Sequence, residues 1–245
     1  MNCSDLVIYE YHFVNTAKTW SDAQQYCREH YTDLATIRNE EELLKLNRPS
    51  TFTGIAWIGM FDDPASWKGV MGKDANSWRW SVTGSTSTSL YQNWKSGEPN
   101  YNRANEECVF MDSGQWGDAA CSDNKPFVCF TAQPGFKNYT FVSTGMSWEN
   151  AQSYCRQRYT DLVMIEEESE NTAVKDLNPS GQMWIGLYRQ PWRWSDGSDS
   201  TFKNWIDTEP NNYGSQHCVA EKLGQKWIDN ACTATYAFHC HRGKE

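Results

Sequence analysis

The sequence predicts an α+β fold in two disulfide-bonded domains, for three reasons. First, the chain has 245 residues, which suits two domains of ordinary size. Second, a set of Trp-rich motifs occurs twice along it. Third, in each copy two segments of helical periodicity come first, and short segments separated by Gly, Ser, Asp and Asn follow, which is typical of helices followed by short antiparallel strands and long loops.

The repeat locates the domain boundary. Residues 19–34 recur as 147–162 at an offset of 128, and Trp-Ile-Gly at 57–59 recurs as 184–186 at an offset of 127. A period above 100 residues indicates duplicated domains. We therefore predict a first domain over residues 1–130, a linker over 131–135 and a second domain over 136–245.

The first copy carries an insertion. Residues 78–81 recur as 192–195 at an offset of only 114, so about 13 residues are extra in the first copy. Residues 62–76 are rich in Gly, Asp, Ser and Lys, which predicts a surface loop.

The first helix of the first copy has a clear start. Thr19 is a good N-cap, and the buried stripe is predicted to contain Trp20, Ala23 and Cys27, which recur at three- and four-residue spacing. The cysteine should therefore face the core.

A second helix is predicted to begin after Asn39. The Asn39 side chain can cap it, with Glu42 closing a capping box three residues later. Leu43, Leu44 and Leu46 are predicted to form its buried side.

Composition and charge exclude two kinds of interaction. With 39% hydrophobic residues and 13 Trp, the chain has enough apolar mass for two cores. Its net charge is -9, and without a Lys/Arg cluster it is a poor match for nucleic acid. The longest apolar stretch, residues 55–61, is about a third of the roughly 20 residues that cross a bilayer. We expect no nucleic-acid partner and no membrane span.

Nine cysteines indicate an oxidising compartment and predict a secreted, extracellular protein. Eight of them form two matching sets: Cys27, Cys108, Cys121 and Cys129, and Cys155, Cys218, Cys232 and Cys240. Four cysteines allow three pairings. The competing interpretation is a zinc cluster of Cys218, Cys232, His239, Cys240 and His241. It is disfavoured because the chain has no Cys-x-x-Cys pair.

Cys3 has no counterpart in the second copy. It predicts either an intermolecular bridge that forms a homodimer or a free or trimmed thiol. Sequons at Asn2 and Asn138 predict a glycoprotein.

The motif order carries a family resemblance. In both copies Trp-Ile-Gly is followed by Asn-Trp, Glu-Pro-Asn, a cysteine and Trp-x-Asp-x-x-Cys. This order resembles the C-type lectin-like domain, and the whole pattern is similar to soluble relatives of the macrophage mannose receptor. The resemblance covers nearly the entire chain, twice. It implies outer bridges Cys27–Cys129 and Cys155–Cys240, and inner bridges Cys108–Cys121 and Cys218–Cys232.

The resemblance also implies a calcium-assisted sugar site in the first copy. In the family, a cis peptide before the Pro of Glu-Pro-Asn turns both flanking side chains toward one ion, and two sugar hydroxyls complete the calcium shell. The matching metal ligands are Glu98, Asn100, Glu106 and Asp118, an oxygen-rich set that suits Ca²⁺. Glu98, Asn100 and Glu106 are the predicted carbohydrate ligands. Glu98 can accept a hydrogen bond and Asn100 can also donate one, an order that resembles binders of mannose, fucose and N-acetylglucosamine.

Both copies depart from the family pattern. Gly117 stands where the family has Asn, which predicts a weak calcium site of about 10⁻⁴ to 10⁻³ M in the first copy. In the second copy, Gln216 replaces a carboxylate and Ile228 replaces the Asn. The candidate metal ligands that remain there are Glu209, Asn211 and Asp229. We expect this second site to be poorer.

Other chemistry-bearing residues have simpler interpretations. The tryptophans at 57, 80, 94 and 116 and their counterparts are predicted to be core residues rather than sugar platforms. Asp62-Asp63 is assigned to a solvated loop, and Glu106-Glu107 are adjacent, whereas glycoside hydrolysis needs two carboxyls facing each other across a sugar. His217, His239 and His241 are expected at the surface or beside a bridge. No catalytic constellation is present, so we predict no enzyme activity.

Two functions remain open. The first is a secreted lectin that binds mannose-type glycans or glycoproteins through calcium in the first copy, with a role in innate immune recognition. The second is a calcium-independent protein- or surface-binding member of the same family, which Gly117, Gln216 and Ile228 favour.

Overall fold

Two units make up the structure, which is a computed structural model describing residues 8–62, 77–85, 89–213 and 215–244. The terminal unit combines Met1–Asp62 with Trp192–Glu245, and the central unit is Asp63–Pro191. Each unit contains half of each sequence copy. We call residues 8–62 and 136–191 the front halves of the first and second copies, and residues 77–133 and 192–244 their back halves.

The terminal unit is α+β. Its elements are β1 (Ile8–Lys18), α1 (Trp20–His30), β2 (Asp33–Leu34), α2 (Glu40–Leu44), β3 (Ala56–Phe61), β11 (Arg193–Trp194), β12 (Cys218–Glu221), β13 (Trp227–Asn230) and β14 (Tyr236–Lys244). The sheet order is β1-β14-β3-β12-β13, with β11 beside β3 and β2 beside β14. The first and last strands of the chain are therefore antiparallel neighbours.

The central unit repeats this plan. Its elements are β4 (Trp78–Trp80), β5 (Glu106–Asp112), β6 (Gln115–Ala120), β7 (Lys125–Gln133), β8 (Phe136–Met146), α3 (Trp148–Arg158), β9 (Asp161–Leu162), α4 (Glu168–Lys175) and β10 (Gln182–Arg189). The sheet order is β6-β5-β10-β7-β8, with β4 beside β10 and β9 beside β7.

The units differ from the predicted division into 1–130 and 136–245. The predicted linker at 131–135 is the tip of a hairpin, because β7 pairs antiparallel with β8 from Gln133↔Phe136 onward. The chain instead leaves the terminal unit between Asp62 and Asp63 and returns to it between Pro191 and Trp192. Because the two copies carry the same strand signals, the motif pattern alone cannot tell which front half pairs with which back half.

The outer disulfides show the same exchange, because each joins the front half of one copy to the back half of the other. The implied outer bridges Cys27–Cys129 and Cys155–Cys240 are wrong, since the structure pairs Cys27 with Cys240 and Cys129 with Cys155. The inner bridges Cys108–Cys121 and Cys218–Cys232 are confirmed. All eight cysteines predicted to form disulfides do so, and each bridge lies within one unit.

The helix starts agree with the sequence. Thr19 Oγ1 accepts the Asp22 N–H at 3.2 Å, and Asn39 Oδ1 accepts the Glu42 N–H at 2.9 Å. The capping box does not close on Asn39, because Glu42 Oε2 accepts the N–H of Arg38.

Burial agrees with most of the predicted core. Trp20, Ala23, Cys27, Leu43 and Leu46 are buried. Leu44, however, is 69% exposed; it ends a five-residue helix whose buried residue is the adjacent Leu43.

Tryptophan positions confirm the core prediction. Trp57, Trp80 and Trp116 are fully buried and Trp94 is partly buried. Their counterparts are buried as well, apart from the partly buried Trp205: Trp184, Trp194 and Trp227.

Among the polar positions, Asp62 differs from expectation. Asp62 is 1% exposed, so it is not a solvated residue; residues 63–76, the rest of the predicted loop, lie outside the described residues. His239 and His241 flank the bridged Cys240, which agrees with the second of the two predicted placements, and both are buried. Cys3 and Asn2 lie outside the described residues, whereas Asn138 is exposed on β8.

Candidate functional site

The first candidate site lies in the central unit. Glu98 and Asn100 flank Pro99 in the loop between β4 and β5, and the Glu98–Pro99 peptide is cis. Glu106 begins β5, and Asp118 lies within the neighbouring strand β6. The structure therefore brings all four predicted ligands to one end of the β5–β6 ladder.

Asp118 anchors the loop to the sheet. Its Oδ1 accepts the Asn100 N–H at 3.0 Å and its Oδ2 accepts the Tyr101 N–H at 2.7 Å. Because Asp118 is 4% exposed, these two bonds satisfy a carboxylate that would otherwise be costly to bury. The sequence motifs do not predict this contact of Tyr101, since a backbone N–H has no sequence signature.

Two further contacts complete the arrangement. Asn100 Nδ2 donates to Glu98 Oε2 at 2.7 Å, and the Asn102 N–H donates to Glu106 Oε2 at 2.8 Å. Glu98 and Asn100 therefore present an acceptor and a donor side by side, and both are accessible to solvent.

The site concentrates negative charge. Partial burial, together with a side-chain hydrogen bond to Asp118 and the charges of Asp118 and Glu106, raises the pKa of Glu98 to about 7. Burial also raises the pKa of Glu106, although the Asn102 N–H opposes this. Carboxyls that lie close together without a cation resist ionisation.

Packing behind the site accounts for Gly117. Phe110 and Gly117 are cross-strand partners on β5 and β6, and a Cβ built on Gly117 would come within 2.8 Å of the Phe110 ring. The side chain that the family has at this position therefore cannot enter unless Phe110 moves. Nothing in the motif pattern indicated Phe110.

The second candidate site, in the terminal unit, has the same scaffold. The Glu209–Pro210 peptide is cis, Asn211 Nδ2 donates to Glu209 Oε2 at 2.7 Å, and Asp229 Oδ1 accepts the Asn211 N–H at 3.1 Å. The Asn212 N–H donates to Asp229 Oδ2 at 2.6 Å. Burial and the neighbouring Asp229 raise the pKa of Glu209 to about 8.

The donor set of the second site is weaker. Asn211 Oδ1 already accepts the Tyr213 N–H at 2.7 Å, so this oxygen is engaged. Ile228 packs into an apolar cluster opposite Ala220 on the adjacent strand. Gln216 supplies an amide in place of the carboxylate of Glu106. Only the carboxylates of Glu209 and Asp229 therefore remain to balance a cation.

The fit to a metal ion is partial. The oxygens of the first site suit Ca²⁺ in kind. Yet across the described ranges no group of three or more His, Cys, Asp or Glu side chains is already arranged around one metal position. Glu98, Asn100, Glu106 and Asp118 would hold calcium only after side-chain rotation.

These carboxyls predict a pH-dependent stability in the absence of calcium. A carboxyl whose folded pKa lies above its ordinary value of 4.5 stabilises the fold at low pH, and that stabilisation is lost as the pH rises through the folded pKa. We therefore expect that, in EDTA, the free energy of unfolding falls as the pH rises from about 5 to about 8. The Glu98→Gln/Glu209→Gln variant should show a flatter profile in denaturant titrations at each pH.

An exposed carboxyl supplies the control. Glu40→Gln, in the first turn of α2, should leave the pH profile of the parent protein unchanged. If the double variant and the parent have parallel profiles, Glu98 and Glu209 do not hold protons in the folded state.

Comparison with known proteins identifies the family. The profile of the family described as "Lectin C-type domain" matches residues 16–131 and 144–242, which is most of the chain. The chain belongs to the C-type lectin domain family. C-type lectin domains are carbohydrate-binding modules and not enzymes.

Relatives of known name share part of this C-type lectin chain. It is 33% identical over 151 residues to "L-selectin" of Mus musculus, covering 56% of this chain and 38% of the relative. It is 31% identical over 237 residues to "P-selectin" of Mus musculus, covering 94% of this chain and 29% of the relative. This C-type lectin chain therefore spans well under half the length of either selectin.

Solved structures add little to the family assignment. "HUMAN LITHOSTATHINE" is 14% identical with a TM-score of 0.42, covering 99% of this chain and 100% of that one. "Mouse Scavenger Receptor C-type Lectin carbohydrate-recognition domain" is 15% identical with a TM-score of 0.41, covering 100% of both chains. The assignment therefore rests on the two sequence segments that match the C-type lectin family.

Proposed function

We propose that this C-type lectin binds mannose-type glycans or glycoproteins through the first site, with calcium bound among Glu98, Asn100, Glu106 and Asp118. The observation that carries the proposal is the loop geometry. Asp118 binds two consecutive N–H groups of the Glu-Pro-Asn loop, and this holds the Glu98 and Asn100 side chains 2.7 Å apart at the surface.

Bound calcium would offset the electrostatic repulsion between these carboxylates. Burial raises the pKa of Glu98 most, and the hydrogen bond to Asp118 and the charges of Asp118 and Glu106 add to the rise; a divalent cation would offset the part due to those charges. Because Asn100 now uses its Nδ2 to bind Glu98, that amide is released when Glu98 turns to the ion. The absence of a ligand at Gly117 supports an affinity of about 10⁻⁴ to 10⁻³ M, as in other extracellular modules.

The sugar preference follows from donor and acceptor order. Glu98 would accept a hydrogen bond from one hydroxyl, and Asn100 would donate one to its neighbour. Glu106 would support the second hydroxyl. Two adjacent equatorial-type hydroxyls of mannose, fucose or N-acetylglucosamine fit this order.

The second site would make a weaker or different contact. Glu209, Asn211 and Asp229 would bind calcium poorly, because one carboxylate is absent and Asn211 Oδ1 is engaged. Two linked sites can raise avidity without new contacts.

The setting of this function is extracellular. Four disulfides favour an oxidising compartment, and exposed Asn138 favours a glycoprotein. We also propose secretion on these grounds, a homodimer linked through Cys3 because that cysteine has no counterpart in the second copy, and a role in innate immune recognition from the family resemblance.

A calcium-independent role is the second candidate. Two observations favour it: the acidic groups of the described residues are not prearranged around a metal, and the Phe110 ring would lie 2.8 Å from a Cβ at position 117, where a further ligand would stand. In that case the same surface would bind a protein or another surface without a cation.

Retention on immobilised mannose tests the proposal. The parent should be retained in calcium and released by EDTA, whereas Glu98→Ala should bind at least about tenfold more weakly, because a calcium and hydroxyl ligand is lost. Glu209→Ala, the same change at the second site, is the matched control and should keep most of the retention. Equal retention of Glu98→Ala and the parent would contradict the assignment, and retention that persists in EDTA would favour the calcium-independent role.

A further inference from the structure

The two units have different cores at equivalent positions. In the terminal unit, the back half of the second copy contributes Asp196, Glu221, His239 and His241, of which the last three are at most 1% exposed. In the central unit, the back half of the first copy has apolar residues at the same repeat positions: Val82, Met111, Val128 and Phe130. At these four positions one back half therefore has acidic and histidine side chains, and the other has apolar ones.

Cations that match these charges come from one front half. Arg48 of the first copy pairs with Glu221, which also lies 3.5 Å from His239 Nε2. Arg38 Nη2, from the same front half, lies 3.0 Å from Asp196 Oδ2. Both arginines are largely shielded from solvent, so water weakens their attraction to the carboxylates less than it would at the surface.

We propose that these charge pairs form a recognition surface by which the front half of the first copy selects the back half of the second copy. The pairs thereby favour a fold in which each unit combines the front half of one copy with the back half of the other. The alternative that they disfavour is two consecutive domains. The proposal concerns folding alone and does not depend on glycan binding.

The consecutive arrangement would mismatch the same groups. Asp196 would face Glu166, the counterpart of Arg38, and Arg38 would face Val82. Glu221 would have no cation from the equivalent loop, because residues 176–181 contain neither Lys nor Arg, and Arg48 would face Met111. Arg38 and Glu166 would keep their partners within their own front halves, Glu42 and Lys137. Asp196 and the fully buried Glu221 would each lose the arginine that faces them here, and a shielded charge that loses its partner strongly destabilises a fold.

A second set of positions shows the same complementarity. In the central unit Glu107 and Arg189 line one cleft, and they come from different copies. In the terminal unit their counterparts are His217 and Asp62, whose backbones are joined by the Asp62 N–H donating to the His217 carbonyl at 2.8 Å. Consecutive domains would instead place Asp62 beside Glu107 and Arg189 beside His217. The exchanged halves therefore place an acidic and a basic residue type along one cleft in the central unit, whereas consecutive domains would bring the two acids Asp62 and Glu107 together.

Disulfide pairing after refolding tests the proposal. The whole chain is reduced, denatured and refolded in a glutathione buffer, and its bridges are mapped by mass spectrometry without reduction. The parent should give Cys27–Cys240 and Cys129–Cys155 in at least about tenfold excess over Cys27–Cys129 and Cys155–Cys240.

Variants at one loop provide the matched comparison. In the fold with exchanged halves, Asp196→Arg places two cations together, whereas in consecutive domains the new arginine would pair with Glu166. The ratio of exchanged to consecutive disulfide pairs should therefore fall by at least about tenfold. Asp199→Arg makes the same charge change three residues away at an exposed position and should leave the ratio unchanged. If Asp196→Arg does not fold, the milder pair Asp196→Asn and Asp199→Asn gives the same comparison, with a smaller fall for Asp196→Asn. Unchanged bridges in the Asp196 variants, or the consecutive pairing in the parent, would overturn the proposal.

Discussion

Glu221→Met is expected to destabilise the terminal unit by about 3 to 5 kcal/mol, because it leaves the shielded Arg48 guanidinium without its carboxylate. Glu221 is fully buried on β12 and contacts both Arg48 and His239. The equivalent residue of the central unit is Met111, so a Met side chain suits this layer of the fold. The loss therefore measures the broken pair and not poor packing.

Hydrogen exchange of peptides from β12 and β14 measures the effect within the terminal unit. The double variant Arg48→Met/Glu221→Met removes both charges and should recover most of the lost protection, since apolar replacement of a whole buried pair is often neutral. Peptides from β5 and β7 of the central unit should be unaffected. Equal protection in Glu221→Met and the parent would show that the pair contributes little.

Phe110→Ala/Gly117→Asn is expected to strengthen calcium binding by roughly tenfold, because it adds one oxygen ligand to a site that has three carboxylates and one amide. Phe110 must change as well, since its ring would lie 2.8 Å from a Cβ at position 117. The second copy shows that the small residue is compatible with the fold, because Ala220 faces Ile228 at the equivalent pair.

Calcium titration by calorimetry measures this gain. Gly117→Asn alone should gain less, because Phe110 obstructs the new side chain, and Phe110→Ala alone should not gain affinity. If the double variant binds calcium no better than Phe110→Ala, position 117 does not face the ion.

The elements of each half could be predicted from the sequence, because their signals are local. Thr19 and Asn39 cap helices where expected, and tryptophans at equivalent positions form both cores. The inner bridges join cysteines separated by 13 and 14 residues within one back half, so a family pattern suffices for them.

The exchange of halves could not be predicted from the motifs. Cys27 fits either Cys129 or Cys240 as a partner when both back halves carry the same pattern. The distinguishing information lies in positions such as Arg38 and Asp196, which are 158 residues apart and belong to no motif.

The candidate site was predictable in membership but not in detail. Glu-Pro-Asn and Trp-x-Asp name Glu98, Asn100 and Asp118, the family resemblance adds Glu106, and the four residues lie near one another in the structure. The two backbone N–H groups that anchor Asp118 and the ring that excludes a side chain at Gly117 depend on strand register, which the sequence does not specify.

A crystal structure of the parent protein with calcium and mannose tests the central claim most directly. We expect one calcium ion bound at about 2.3 to 2.6 Å by oxygens of Glu98, Asn100, Glu106 and Asp118. Two mannose hydroxyls should complete its shell and contact Glu98 and Asn100. Mannose bound at another surface, or these four side chains still bonded to one another with no ion between them, would contradict it.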